Sequence, residues 1–388
     1  MKKIGAVIIG GHFQGLGILR SLGKHDVPVC LLDHDLCISR FSRYRKRFFR
    51  SPHPRDEERF VDFLMRLGKR EGLHGWIVYP NDDDTVRLLA KNKVELEQYY
   101  TIPIPDWETT KFACEKKLTY QIATQVGIPV PKTCYPTTLQ EVRALDIDFP
   151  CIVKPSVKEP FYSAIKKKAI RADNPEELTR AFAIAVEVAA GSEIMVQELL
   201  PGGTTSLYSV GSLFKNGEFL GRVVALRPRQ HPMDFGHATT YAVTADLPEL
   251  EHSAQRLLDA IGFYGISEVE FMLDPRSGEY KLLEVNARPW GWHSLAIAAG
   301  VDLPYLLYQD LTGETAHHNG FKSSTKWIRL TTDLPTAAGE ILKRNLKLTD
   351  YLNSLRGDRH FAVLSLDDPL PFVAEIIMSP YLWRKRGF

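Results

Sequence analysis

Cysteine is scarce in this chain: five residues among 388, at positions 30, 37, 114, 134 and 151. The number is odd and no pair has C-x-x-C spacing, so neither a disulfide framework nor a cysteine zinc site organises the fold. Reduced thiols point to a cytoplasmic protein. Net charge is almost absent, +2 from 49 Lys and Arg against 47 Asp and Glu. Bulk electrostatics therefore gives no reason to expect nucleic acid as a partner. No uninterrupted run approaches the ~18–20 apolar residues that span a bilayer. The opening Met1-Lys-Lys-Ile-Gly-Ala-Val-Ile-Ile-Gly has too short an apolar stretch for a signal peptide and lacks its cleavage site, so it reads as a buried first strand. The dinucleotide fingerprint G-x-G-x-x-G is missing too; the glycines fall as Gly11-x-x-x-Gly15-x-Gly17.

What is present is the ordinary composition of a soluble globular enzyme, 44% hydrophobic and 25% charged. The length predicts two or three domains. Residues 1–108 alternate strands (Ile4–Ile9, Val27–Asp33, Gly75–Tyr79) with helices, the pattern of an α/β layer on a mostly parallel sheet. A glycine-rich turn over Gly10–Gly17 precedes a helix beginning at Leu16–Gly23, and would leave backbone N–H groups open to an anion. Acids in Tyr79-Pro-Asn-Asp-Asp-Asp-Thr suit the capping of a helix. Prolines near residue 105 mark a linker, and a helix is expected over Thr109–Val126. Six Arg or Lys in Ser39–Arg50 read as a solvated basic face, with attraction of an anionic substrate as the alternative.

The segment 265–294, GISEVEFMLDPRSGEYKLLEVNARPWGWHS, carries the chemistry. Runs 266–273 and 280–288 alternate polar with apolar around Asp274-Pro-Arg-Ser-Gly278, the signature of a β-hairpin. If Met272 faces Leu282, Glu270 lies opposite Glu284, with Asn286 and Arg288 following on that face. Opposed carboxylates repel, and a hard cation that also bridges to phosphate oxygens, Mg²⁺, would relieve them. The bland alternative is a solvated face with Glu268, Glu270 and Glu284 merely exposed. A second feature agrees: Pro150-Cys-Ile-Val-Lys-Pro-Ser is an apolar strand closed by Lys154, whose buried ammonium needs a partner such as phosphate. Arg227-Pro-Arg-Gln-His-Pro-Met-Asp-Phe-Gly-His reads as a loop in which Arg227 and Arg229 are suited to oxyanion or substrate contacts.

The acid, turn and Glu284-x-Asn286-x-Arg288 pattern resembles the metal-binding hairpin of the ATP-grasp superfamily, in its carboxylate–amine ligase branch. That branch is similar to D-aspartate ligases and to the ATP-binding domains of carbamoyl-phosphate synthase. The resemblance covers residues 109–312 and, more loosely, the whole chain. It implies an α/β (α+β) fold: a Rossmann-like pre-ATP-grasp domain (1–108), a small lid subdomain (109–196), a large subdomain with the metal hairpin (197–318) and an extension packed on the core (319–388). ATP would lie between two antiparallel sheets. The resemblance implies phosphate contacts from Lys116 and Lys154, and adenine read at a hinge near Gln197, Glu198 and Leu200. It also implies metal bound by Glu270, Glu284 and Asn286, as Mg²⁺ in two ions with Mn²⁺ as a substitute, and Arg288 on the reacting acyl group. In the loop 157–168 the chain departs from glycine-rich relatives, with Lys168 left either as a phosphate contact or as an exposed residue. Thr204 or Thr205 stands where an acid would hold the ribose.

The activity so implied is an ATP-dependent ligase joining a small carboxylate to an amine through an acyl phosphate, releasing ADP and phosphate. The competing readings are a nicotinamide oxidoreductase using the N-terminal glycines and a non-catalytic ATP-binding module. Two questions of association stay open. The apolar-then-basic stretch Phe372–Phe388, ending Arg384-Lys-Arg, either packs on the N-terminal domain or touches a membrane surface, and a homodimer is compatible with the chain.

Overall fold

The structure, a computed structural model, describes residues 3–155, 161, 164–165, 169–189, 191–233, 236, 238–318 and 320–386. Lys168 and His237 lie outside the described residues.

The apolar runs of the N-terminal third form a five-stranded parallel sheet. Its strands are β1 (Ala6–Ile9), β2 (Val29–Asp33), β3 (Arg47–Arg50), β4 (Trp76–Pro80) and β5 (Tyr100–Thr101), in the order β3-β2-β1-β4-β5. Strands β1 and β2 are buried throughout, as sheets covered on both faces require. The helix Glu57–Glu71 turns Phe60, Val61, Leu64 and Leu67 inward, one helical stripe. The helix Asp83–Lys91 is capped as expected, with the Asp82 carboxylate accepting the Thr85 N–H at 2.7 Å.

The glycine segment differs from its expected form. The first helix begins at Phe13 and encloses Gly15 and Gly17, so these glycines provide clearance and not a turn. A Cβ on Gly17 would stand 2.7 Å from the His293 ring. Within the segment the Gly11 N–H has a partner in the chain. The Asp33 carboxylate accepts from Gly11 N–H at 2.7 Å and from Asp35 N–H at 2.9 Å.

A smaller antiparallel sheet follows, made of β6 (Thr133–Cys134), β7 (Cys151–Pro155), β8 (Ile170–Ala172) and β9 (Ile194–Glu198), in the order β6-β9-β7-β8. The helix Pro175–Val188 packs Leu178, Phe182 and Ala185 onto it, and Asn174 caps that helix through the Glu177 N–H.

The large sheet comprises β10 (Leu207–Lys215), β11 (Glu218–His231), β12 (Ala238–Thr244), β13 (Gly265–Asp274), β14 (Glu279–Asn286), β15 (Lys326–Ile328) and β16 (Arg359–Phe361), in the order β14-β13-β10-β11-β12-β15-β16. One face, with Val210, Val269, Phe271 and Leu282, packs in a core shared with Ala113, Tyr120 and Ala123. The other face buries Leu213, Val223, Trp290 and Trp327 with Leu16 and Leu19 of the first helix. Gly211 leaves room for Trp290, whose ring would lie 2.0 Å from any Cβ there.

Three expectations are revised. The helix expected over Thr109–Val126 is two, Trp107–Cys114 and Lys116–Gln125, with Glu115 extended between them. The break is accommodated by the Thr119 hydroxyl, which donates to the carbonyls of Phe112 and Glu115. Arg227 and Arg229 sit on β11 and not on a loop. Pro228 cannot donate to a ladder, and the strand absorbs it with a register shift between Leu226 and Arg229. The hairpin pairs Glu270 with Glu284, but the premise of Met272 facing Leu282 fails. Leu283 is an extra residue, so Phe271 faces Leu282 and Met272 faces Lys281, a β-bulge. The helix pair 107–125 packs on β14, β9 runs on to Glu198, and β15 and β16 complete the large sheet.

The last helix, Leu370–Arg386, lies against the N-terminal turn Ile38–Phe41. Just before it, Asp368 accepts from Arg20 Nε at 3.0 Å, Ser42 Oγ at 2.7 Å and Arg43 N–H at 2.9 Å. Among the described residues no helix is long and apolar enough to cross a membrane.

Candidate active site

The face of the large sheet that carries Glu268, Glu270, Glu284 and Asn286 is held by β13 and β14, with Glu268 paired to Asn286 and Glu270 to Glu284 in register. Exposed carboxylates on a sheet are cheap, but these are not exposed. Glu268 is 2% accessible, which removes the solvated-face alternative for it. Burial pushes its carboxyl up to about 8, helped by the neighbouring charge of Glu270 and opposed by Arg227. The Asn286 amide donates to both neighbours, to Glu268 Oε2 at 3.0 Å and to Glu270 Oε1 at 2.9 Å. Its carbonyl oxygen accepts from Arg288 Nη2 at 3.2 Å.

Cations of the chain neutralise these acids. Arg227, from β11, reaches across β10 to Glu270 and stands 3.7 Å from Glu268. Burial would lower its pKa, but the two glutamates hold the guanidinium above its ordinary value. Lys116, the first residue of its helix, is ion-paired with Glu284. The helix break at Glu115 and the packing of the helix pair on β14 bring that lysine to the hairpin. The Tyr120 hydroxyl ties the same helix down, donating to the carbonyl of the bulged Leu283 at 2.9 Å. Arg288 Nε donates to Asp83 Oδ1 at 2.6 Å, at the N-terminus of a helix of the parallel sheet.

The small sheet supplies the other wall. Lys154 donates to Gln197 Oε1 at 2.8 Å, and the Gln197 amide donates to Tyr120 Oη at 3.1 Å and Thr133 Oγ1 at 2.8 Å. Glu198 is a hub between the sheets. It accepts from Lys281 Nζ and from Arg276 Nη2, each at 2.7 Å, and from Lys132 N–H at 2.9 Å. Burial raises its pKa, but Lys281 and the other donors outweigh it, so the carboxyl lies below the usual range. Leu200 is buried beside it. The Thr204 hydroxyl is turned away to the Pro228 carbonyl at 2.7 Å.

The structure thus gathers Lys116, Arg227, Glu270, Glu284, Asn286 and Arg288 at the hairpin, and Lys154, Gln197 and Glu198 on the facing sheet. Arg229 stands apart. Its guanidinium makes a two-pronged pair with Asp333, at 2.8 and 2.9 Å, and lies over the Tyr241 and Tyr351 rings. Three participants escape a reading of the sequence alone. There Asp83 is a capping acid, Glu268 enters only as part of an exposed face, and strict alternation puts Lys281 in the core. Only the last carries a signal, a lysine where the pattern asks for an apolar residue.

The donor set suits a hard divalent cation. Among the described residues no group of three His, Cys, Asp or Glu converges on one point. Two carboxylates and an amide oxygen are, however, the smaller set that Mg²⁺ takes when waters and phosphate complete its shell. Among the described residues the buried Glu268 Oε1 accepts no hydrogen bond, and Arg227 Nη1 stands 3.7 Å from it. A cavity of about 620 Å³ lies elsewhere, lined by Phe219, Arg222, Glu251, His252 and Phe321, and none of the gathered residues borders it.

Residues 191–332, from the hinge strand to β15, match the family model described as ATP-grasp in the biosynthetic pathway with Ter operon. The chain carries an ATP-grasp domain. Among curated relatives, the D-aspartate ligase of Enterococcus faecium is 21% identical over 319 residues, covering 78% of this chain and 76% of that one. An L-amino acid ligase from Bacillus licheniformis shares the fold, with a TM-score of 0.61 at 17% identity over 80% of this chain and 75% of that one. So does the biotin carboxylase domain of Hydrogenobacter thermophilus 2-oxoglutarate carboxylase, solved with MgADP, ADP and bicarbonate, at a TM-score of 0.64 and 15% identity over 84% and 74%.

Proposed function

We propose that the protein is an ATP- and Mg²⁺-dependent ligase that joins a small carboxylate to an amine. The observation that carries this reading is the register of Glu270 against Glu284, flanked by Asn286 and neutralised by Arg227 and Lys116. Partly buried charge of this kind costs stability, and a bound cation with its phosphates would put it to use.

Amide formation from a carboxylate in water is uphill, so the carboxylate must first acquire a leaving group. A substrate carboxylate oxygen attacks the γ-phosphorus of ATP, the bond to the β-phosphate oxygen breaks, and ADP departs. The amine then attacks the acyl carbon, the bond to the phosphate oxygen breaks, and phosphate leaves as the amine loses its proton to water. Mg²⁺, held by Glu270, Glu284 and Asn286, would neutralise the phosphate charge. Lys154, near the end of an inner strand of the small sheet, serves the nucleotide phosphates. Lys116 exchanges its ion pair with Glu284 for a phosphate when nucleotide and metal enter. Arg288, oriented by Asp83 and Asn286, faces the acyl phosphate and the tetrahedral oxyanion. The backbone around Glu198 and Leu200 offers the adenine its edge contacts, and the buried carboxylate of Glu198 fixes that hinge to the hairpin.

The spacing Gly11-x-x-x-Gly15-x-Gly17 in place of G-x-G-x-x-G weighs against the nicotinamide reading. The test is ATP turnover across a panel of amino acids and small carboxylates. ADP and phosphate released only when both a carboxylate and an amine are supplied is the expected result. AMP and pyrophosphate, or turnover indifferent to every pair, would overturn it.

A further inference from the structure

The last helix has two apolar sides, and the protein covers only one. The inward side buries Pro371, Ala374, Glu375 and Leu382. The outward arc carries Leu370, Val373, Ile376, Ile377 and Trp383, with Ile377 74% and Trp383 50% accessible. Among the described side chains of the helix, the exposed charges are Arg384 and Lys385, both basic. Solvent-facing helix surfaces are normally polar, and a contiguous exposed apolar strip marks a contact surface.

The neighbouring segment extends the strip and gives it a sign. The helix lies on the turn Ile38–Phe41, and beside it Leu36 and Phe41 are exposed, interspersed with exposed Arg40 and Arg43. The acids in this region are engaged within the chain. Asp35 is bound by Lys385 and Tyr381, Asp367 by Tyr44 with Lys24 at 3.5 Å, and Asp368 by Arg20. Glu375 is buried against Arg329. What remains outward is apolar side chains rimmed by guanidinium groups.

We propose that this surface docks the protein on an anionic lipid bilayer. Apolar side chains with an interfacial tryptophan and a basic rim suit the headgroup boundary, where burial and attraction to acidic lipids add. A second copy is the less favourable occupant, because a two-fold contact would bring the same basic rim from both chains together. The proposal stands independently of the ligase reading.

The test is flotation of the full chain with vesicles of phosphatidylcholine alone or mixed with phosphatidylglycerol. Binding is expected only to the mixed vesicles and to weaken with added salt. Ile377→Glu should lower the partition coefficient roughly tenfold, and Arg384→Gln about fivefold. Both sites are exposed, so far-UV circular dichroism and thermal midpoint should not change. In the wild type, brominated lipid should quench an emission component that Trp383→Phe removes. No binding, or equal binding to both vesicles, would overturn the proposal. So would a dimer in light scattering that Ile377→Glu converts to monomer, since that assigns the strip to a second copy.

Discussion

Arg288 Nε lies 2.6 Å from Asp83 Oδ1, joining the end of the acid hairpin to a helix of the N-terminal sheet 205 residues away in sequence. The parallel sheet therefore orients the arginine proposed to meet the acyl group. Asp83→Ala is expected to leave nucleotide affinity intact while lowering ligation kcat by about tenfold, the scale of a lost orienting contact. Nucleotide titration with single-turnover kinetics separates the two. Equal loss of affinity and rate would give Asp83 a merely structural role.

Glu284→Ala removes one of two opposed carboxylates and leaves Lys116 without that partner. ATP turnover should fall by about a factor of 10²–10³ or more, with the folded state retained in circular dichroism. Arg288→Ala should bind ATP normally but ligate slowly. Normal turnover in the Glu284 variant would remove the metal assignment.

The Arg229–Asp333 pair supports a structural role. Both side chains are buried, 6% and 0% accessible, so truncating one strands the other's charge. Arg229→Ala should cost about 3–5 kcal/mol in urea unfolding, and the double variant with Asp333→Ala less than the sum of the two single changes. A stable Arg229→Ala protein with a raised substrate KM would restore Arg229 to the substrate side.

Acid should weaken the contact between the first helix and the segment after the hairpin. His293 is buried, and burial holds its imidazole down at about 4, below the ordinary 6.5. Its Nε2 meets the Gln14 carbonyl at 2.8 Å. The unfolded chain thus binds a proton that the native state refuses between these values. The stabilising contribution is complete above pH 6.5 and is lost as pH falls through about 4. The slope is up to about 1.4 kcal/mol per pH unit. His293→Asn should flatten this part of the urea midpoint against pH curve, whatever it does to the midpoint itself.

Much of the architecture is legible locally. The hairpin, the facing glutamates, the capping by Asp82, and the alternation of the first hundred residues follow from period, turn chemistry and charge. What escapes depends on the third dimension. Arg227 and Arg229 look like loop residues because Pro228 and the following histidines break a strand pattern, yet the large sheet carries the strand through with a register shift. β15 and β16, three residues each, are too short to announce themselves, and long-range pairing makes them strands. Asp83 has a sufficient local reason to be where it is, so nothing hints at its partner across the cleft.

The extra residue at Leu283 has a consequence for reading related sequences. Before it, odd positions of β14 face the side that carries the acids; after it, even ones do, and so Lys281 reaches Glu198 while Leu282 enters the core. A side-chain frame is thereby switched within one strand. Relatives compared position by position without allowing for that switch would have the acid pair aligned correctly and the hinge lysine mistaken for a core residue, with an apolar side chain assigned in its place.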